Sequence, residues 1–97
     1  MKTTIHLLIS GKVQGVGFRA YVKKKADQLG VNGWVRNLND GKVEVYAEAA
    51  KGALDLFDVK ISTGPASSQV SKVERLEVKG KDVVEGFYIK PDGERPC

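Results

Sequence analysis

The sequence holds one cysteine, Cys97, and one histidine, His6, in 97 residues. A single cysteine allows no intrachain disulfide, so the fold must rest on its core and a reducing compartment is expected. Nor do Cys, His and carboxylates cluster anywhere at metal-ligand spacing, and neither a metal nor another cofactor is expected. The apolar stretch Ile5–Ile9 is interrupted by His6 and is shorter than a secretory core, let alone a membrane span. Repeats, linkers and low-complexity tracts are also missing, which leaves one small domain over residues 1–97. A soluble, cytoplasmic monomer is the expectation. Charge of one sign is in only modest excess: 16 Lys and Arg against 12 Asp and Glu give +4. That balance favours anionic ligands, but its interleaving speaks against a nucleic-acid binder, which concentrates its cations.

What is present alternates cleanly. Ile5, Leu7 and Ile9 fall at a two-residue period and predict a first strand. From Phe18 onward, Phe18, Val22, Ala26 and Leu29 recur at helical spacing, with Lys23 to Lys25 turned to solvent and Gly30 placed for a left-handed cap. Val31 to Leu38 reads as a second strand carrying the only tryptophan, Trp34, and Asn39-Asp40-Gly41 supplies a tight reversal. Val43, Val45, Ala47 and Ala49 then alternate with polar residues along a third strand. Leu54, Phe57 and Ile61 predict a second helix within Ala50–Ile61, stopped by Gly64-Pro65, with Thr63–Ser71 as a loop. Val73, Leu76 and Val78 predict a fourth strand whose change of parity suggests a bulge or an irregular start, and Phe87 with Ile89 a short final one. This order is that of an α+β, ferredoxin-like split βαβ fold (β-α-β-β-α-β). A four- to five-stranded antiparallel sheet with both helices on one face is expected.

The segment Gly11–Arg19, G-K-V-Q-G-V-G-F-R, leaves the first strand and enters the first helix. Glycines at 11, 15 and 17 permit positive φ, so backbone N–H groups can converge on an anion at the positive end of the helix dipole. A simple turn would use glycine equally well. The loop has no Lys-Ser/Thr pair after its last glycine, as a nucleotide-binding loop requires, and no cysteine nucleophile, as a covalent phosphatase loop requires. Arg19 in a first helical turn is disfavoured by the dipole unless an anion is near.

Eighteen residues after Arg19 comes Asn37, inside G-W-V-R-N-L-N-D-G over Gly33–Gly41. This pair of motifs, their spacing and the chain length resemble the acylphosphatase family, and the resemblance covers essentially the whole chain. It implies hydrolysis of the carboxylic–phosphoric anhydride of acyl phosphates to a carboxylate and inorganic phosphate. On that resemblance the backbone of Gln14, Gly15, Val16, Gly17, Phe18 and Arg19 wraps the phosphate, and the Arg19 guanidinium binds it as a charged fork. Asn37 holds and orients the attacking water. No metal is needed, phosphate or sulfate should inhibit, and neither nucleic acid nor membrane is an expected partner.

The remaining residues read as structural. Phe18 serves as a core anchor of the first helix, Trp34 as packing, Arg36 as an exposed strand residue on the side opposite Asn37, and His6, before the loop rather than on it, as a strand residue and not a general base. The alternative is a ferredoxin-like RNA- or anion-binding module without catalysis. RNA-recognition domains carry an aromatic-rich strand, whereas K-V-E-V-Y-A-E-A here carries two glutamates. Acylphosphatase motifs also stand at the front of a large carbamoyl-transferring maturation protein, of which the rest is not found here.

Overall fold

The computed structural model describes residues 2–79 and 85–93; Met1, residues 80–84 and 94–97, Cys97 among them, lie outside the described residues. The elements are β1 (Lys2–Lys12), α1 (Phe18–Leu29), β2 (Asn32–Asn37), β3 (Val43–Ala50), α2 (Lys51–Thr63), β4 (Gln69–Val78) and β5 (Phe87–Ile89). The strands form one sheet in the order β4-β1-β3-β2-β5.

Register follows from the alternation. Leu7 stands opposite Val45 and Ile9 opposite Val43 on the β1–β3 ladder, and Val35 stands opposite Val45 on the β2–β3 ladder. These residues share one face and are fully buried with Phe18, Val22 and Ala26 of α1 and Leu54, Phe57 and Ile61 of α2. Both helices therefore cover the same face, as the apolar stripe of each requires. Phe57 and Phe87 meet at 6.0 Å between ring centroids, so burial of two aromatic rings, about 3 kcal/mol or more together, fastens β5 to α2.

The opposite face of the sheet carries polar and aromatic side chains. Glu44 of β3 is buried there between Arg36 and His6, accepting from Arg36 Nε at 2.6 Å and lying 2.7 Å from His6 Nε2. Tyr46 and Trp34 are cross-strand neighbours whose rings stack at 5.7 Å, and Lys90 Nζ sits 4.4 Å from the Trp34 centroid.

Two expectations are corrected, and a third, the irregularity of the fourth strand, is resolved in favour of its start. β4, β1, β3 and β2 are antiparallel as foreseen, but β5 runs parallel to β2, pairing Gly33 with Phe87 and Val35 with Ile89. The sheet is therefore mixed. The loop expected over Thr63–Ser71 shortens to 64–68, because α2 continues through Thr63 and β4 starts at Gln69 against Lys12. The irregularity in β4 falls at its start: Ser10 pairs with Lys72 and Gly11 with Val70, which leaves Ser71 as the extra residue. Val73 to Val78 pair without interruption, and Leu76 breaks the apolar period because it lies opposite His6 on the open face, 61% exposed.

Candidate active site

The segment between β1 and α1 is held from three sides. Val13 is buried at its start and Phe18 at its end, while Val16 packs against the core between them. The Gln14 amide Nε2 donates to two carbonyls of the β2–β3 hairpin, Leu38 O at 2.7 Å and Lys42 O at 2.8 Å. On the other flank the Ser67 hydroxyl, in the α2–β4 loop, donates to Val16 O at 2.8 Å. Between these struts Gly15 and Gly17 adopt φ of 72° and 76°, a left-handed conformation that costs side-chain-bearing residues about 1 kcal/mol or more. Gly11 differs: it pairs with Val70 in the sheet, and its lack of a side chain serves the close approach of the Gln69 carbonyl, not the loop.

Gly17 is the N-cap of α1. No side chain caps the helix and no acidic residue lies in its first turn. The first helical hydrogen bond runs from Tyr21 N to Gly17 O, so the N–H groups of residues 18–20 precede the helical ladder. An uncapped, dipole-positive terminus thus faces outward over the glycines. Arg19, on the first turn, is 37% exposed along its side chain and reaches Asp92 with Nη1 to Oδ1 at 3.3 Å. Asp92 is itself 72% exposed, so this pair contributes little to stability and leaves most of the guanidinium's donors available.

Asn37 ends β2 on the core side of the sheet, opposite Val43, and is 7% exposed. Its backbone carbonyl accepts from Gly93 N at 2.9 Å. Among the described residues its side-chain Oδ1 is buried without a hydrogen-bond partner. A buried amide oxygen in that condition costs about 1–3 kcal/mol unless something else supplies a donor.

Gly15, Gly17, Phe18, Arg19 and Asn37 come together around one hollow of about 230 Å³, with Val13, Ala20 and Ile89 completing its lining. The structure thus brings these five of the expected residues together. Gln14 and Val16 are outside the lining: the Gln14 side chain is committed to the hairpin and Val16 to the core. His6, Trp34 and Arg36 are on the other face of the sheet, where Arg36, expected to be exposed, is partly buried by its ion pair with Glu44. Ile89 and Asp92 are the additions that sequence did not suggest, since nothing local signals that the segment around β5 passes beside Arg19.

The family model for acylphosphatase matches residues 5–89. The chain belongs to the acylphosphatase family. An acylphosphatase of Thermus thermophilus is 45% identical over 84 residues, spanning 84% of this chain and 92% of that protein. An acylphosphatase of Alkalilimnicola ehrlichii is 43% identical over 89 residues, spanning 92% and 99%. The crystal structure of the Bacillus subtilis acylphosphatase superposes with a TM-score of 0.87 at 34% identity, covering 93% of this chain and 99% of that one. As an acylphosphatase relative over nearly its whole length, the chain carries the ferredoxin-like α+β fold in its five-stranded, mixed form. Among the described residues no three His, Cys, Asp or Glu side chains gather as a metal-ligand group, and no helix is long and apolar enough to cross a membrane.

A second hollow of about 210 Å³ lies between β1, β4 and α2. Its charged lining is of both signs: Lys51 pairs with Asp55 along α2, and Arg75 of β4 with Asp58 of α2 across it.

Proposed function

We propose that the hollow at the α1 N-terminus holds the phosphoryl group of an acyl phosphate, which is hydrolysed there to a carboxylate and inorganic phosphate. The observation that carries this is Asn37, whose buried Oδ1 has no hydrogen-bond partner among the described residues, lining the same hollow as the uncapped helix terminus and Arg19. An amide oxygen accepts a proton from water in a hydrogen bond but does not remove it, so Asn37 orients the water's lone pair toward phosphorus. The loop amides and Arg19 bind the non-bridging phosphate oxygens and stabilise the charge of a loose phosphoryl-transfer transition state.

The water oxygen forms the new P–O bond while the bond from phosphorus to the acyl oxygen breaks, and its electron pair leaves on the carboxylate. A phosphate oxygen of the substrate takes the water's proton, because the anhydride already provides a good leaving group and no protein base is required. Phosphate and sulfate, which fit the same donors, should compete. The proposal describes a cytoplasmic monomer acting on a small molecule. Against an RNA platform on the open sheet face stands the Trp34 ring, which Tyr46, Lys90 and Arg36 already cover.

The decisive assay follows benzoyl phosphate in excess EDTA. Turnover above buffer is expected, and Arg19→Ala and Asn37→Ala should each reduce it by about a hundredfold in proteins that still unfold cooperatively. Absence of turnover in the parent chain, or its disappearance on chelation, would overturn the proposal.

A further inference from the structure

Ser67 stands outside the hollow, on the exposed α2–β4 loop, yet its hydroxyl donates to the Val16 carbonyl at 2.8 Å. That carbonyl belongs to the same planar peptide unit as the Gly17 N–H. In a trans peptide the two groups point in opposite directions, and all peptides described here are trans. Tying the carbonyl outward to Ser67 therefore turns the Gly17 N–H the other way. Gly17 lines the hollow, and among the described residues its N–H has no protein acceptor.

The constraint matters because Gly15 and Gly17, which flank Val16 at positive φ, carry no side chains to restrict this peptide plane. A flip of the 16–17 peptide would present a carbonyl oxygen, not an amide, to a bound anion. The Val16 side chain packs toward the core and the Ser67 hydroxyl grips its carbonyl, a two-point hold on one residue. The loop that delivers Ser67 is itself braced: Ser68 N and Oγ both donate to Pro65 O, at 2.9 and 2.8 Å.

We propose that Ser67 is a positioning residue of the phosphate cradle, which holds the 16–17 peptide with its N–H toward the ligand. This rests on the cradle being a phosphate site, and the two fail separately in one experiment. Isotope-labelled parent, Ser67→Ala and Ser67→Thr proteins are titrated with inorganic phosphate while the Gly17 amide resonance is followed, and KM and kcat are measured with benzoyl phosphate. Because the amide contacts ground state and transition state alike, Ser67→Ala should raise phosphate Kd and KM together by about fivefold, the size of one lost hydrogen bond, with kcat within about twofold. Ser67→Thr, which retains the hydroxyl, should restore both. Ser67→Cys, a weak donor of similar size, should fall between and provides the measurement should the alanine variant not fold. A parent Gly17 resonance indifferent to phosphate overturns the cradle and Ser67 with it. A parent response that Ser67→Ala or Ser67→Cys reproduces unchanged, or a deficit that threonine does not rescue, overturns the role of Ser67 alone.

Discussion

At Gly17 an added methyl group would meet no atom within 4 Å, whereas at Gly11 it would collide with the carbonyl oxygen of Gln69. Both positions belong to one glycine-rich stretch and both have a positive φ, but only Gly11 adds a collision with a neighbouring strand. Gly17→Ala should cost about 1–2 kcal/mol through its positive φ and weaken phosphate binding, because the strain is relieved by rotating the peptides that form the cradle. Gly11→Ala should cost about 2 kcal/mol or more by pushing β4 off β1, with phosphate affinity per folded molecule retained. Denaturant unfolding with and without phosphate separates the two, and equal loss of affinity in both variants would contradict the distinction. The sequence displayed these glycines as one motif, since spacing carries no information on whether a strand from residues 69–78 passes over one of them.

The β2–β3 hairpin shows what an element contributes. On one face it ends at Asn37 and supplies the Leu38 and Lys42 carbonyls that anchor Gln14. On the other, Arg36 pairs with Glu44, which is 2% exposed and also lies 2.7 Å from His6 Nε2. Removing one partner of a buried carboxylate leaves charge without compensation, so Arg36→Ala should destabilise the chain by about 2 kcal/mol and lower Tm by about 10 °C. Because Arg36 is across the sheet from the hollow, phosphate Kd should stay within about twofold; a Tm within 2 °C of the parent would show that His6 alone satisfies Glu44. The alternation of β3 and the Asp40-Gly41 turn made this hairpin legible from sequence. Its open-face contacts were not, because alternation does not show that Glu44 is buried against Arg36 and His6.

For the molecule as a whole, a ligand that binds only the folded form stabilises it by mass action. At a hundred times its Kd, phosphate should add about 2.7 kcal/mol and raise Tm by about 10 °C or more, an increment that Arg19→Ala should abolish. Chloride at matched ionic strength producing the same shift would instead indicate general screening. Most of the architecture was readable, because long periodic segments identify strands and helices, and Arg19 and Asn37 came with the family resemblance. The direction of β5 was not, since three residues specify no direction, and Ile89, Asp92 and Ser67 reach the site across 51 residues or more of chain, where local pattern is silent. The clasp of Gly93 on both sides of Leu38, through Asn37 O and Asn39 N, adds a matter of timing. Translation delivers residues 11–43 well before Gly93, so the pairing of Asn37 with Val43 can form early, whereas the bond from Gly93 to its carbonyl must wait until almost all of the chain has been made.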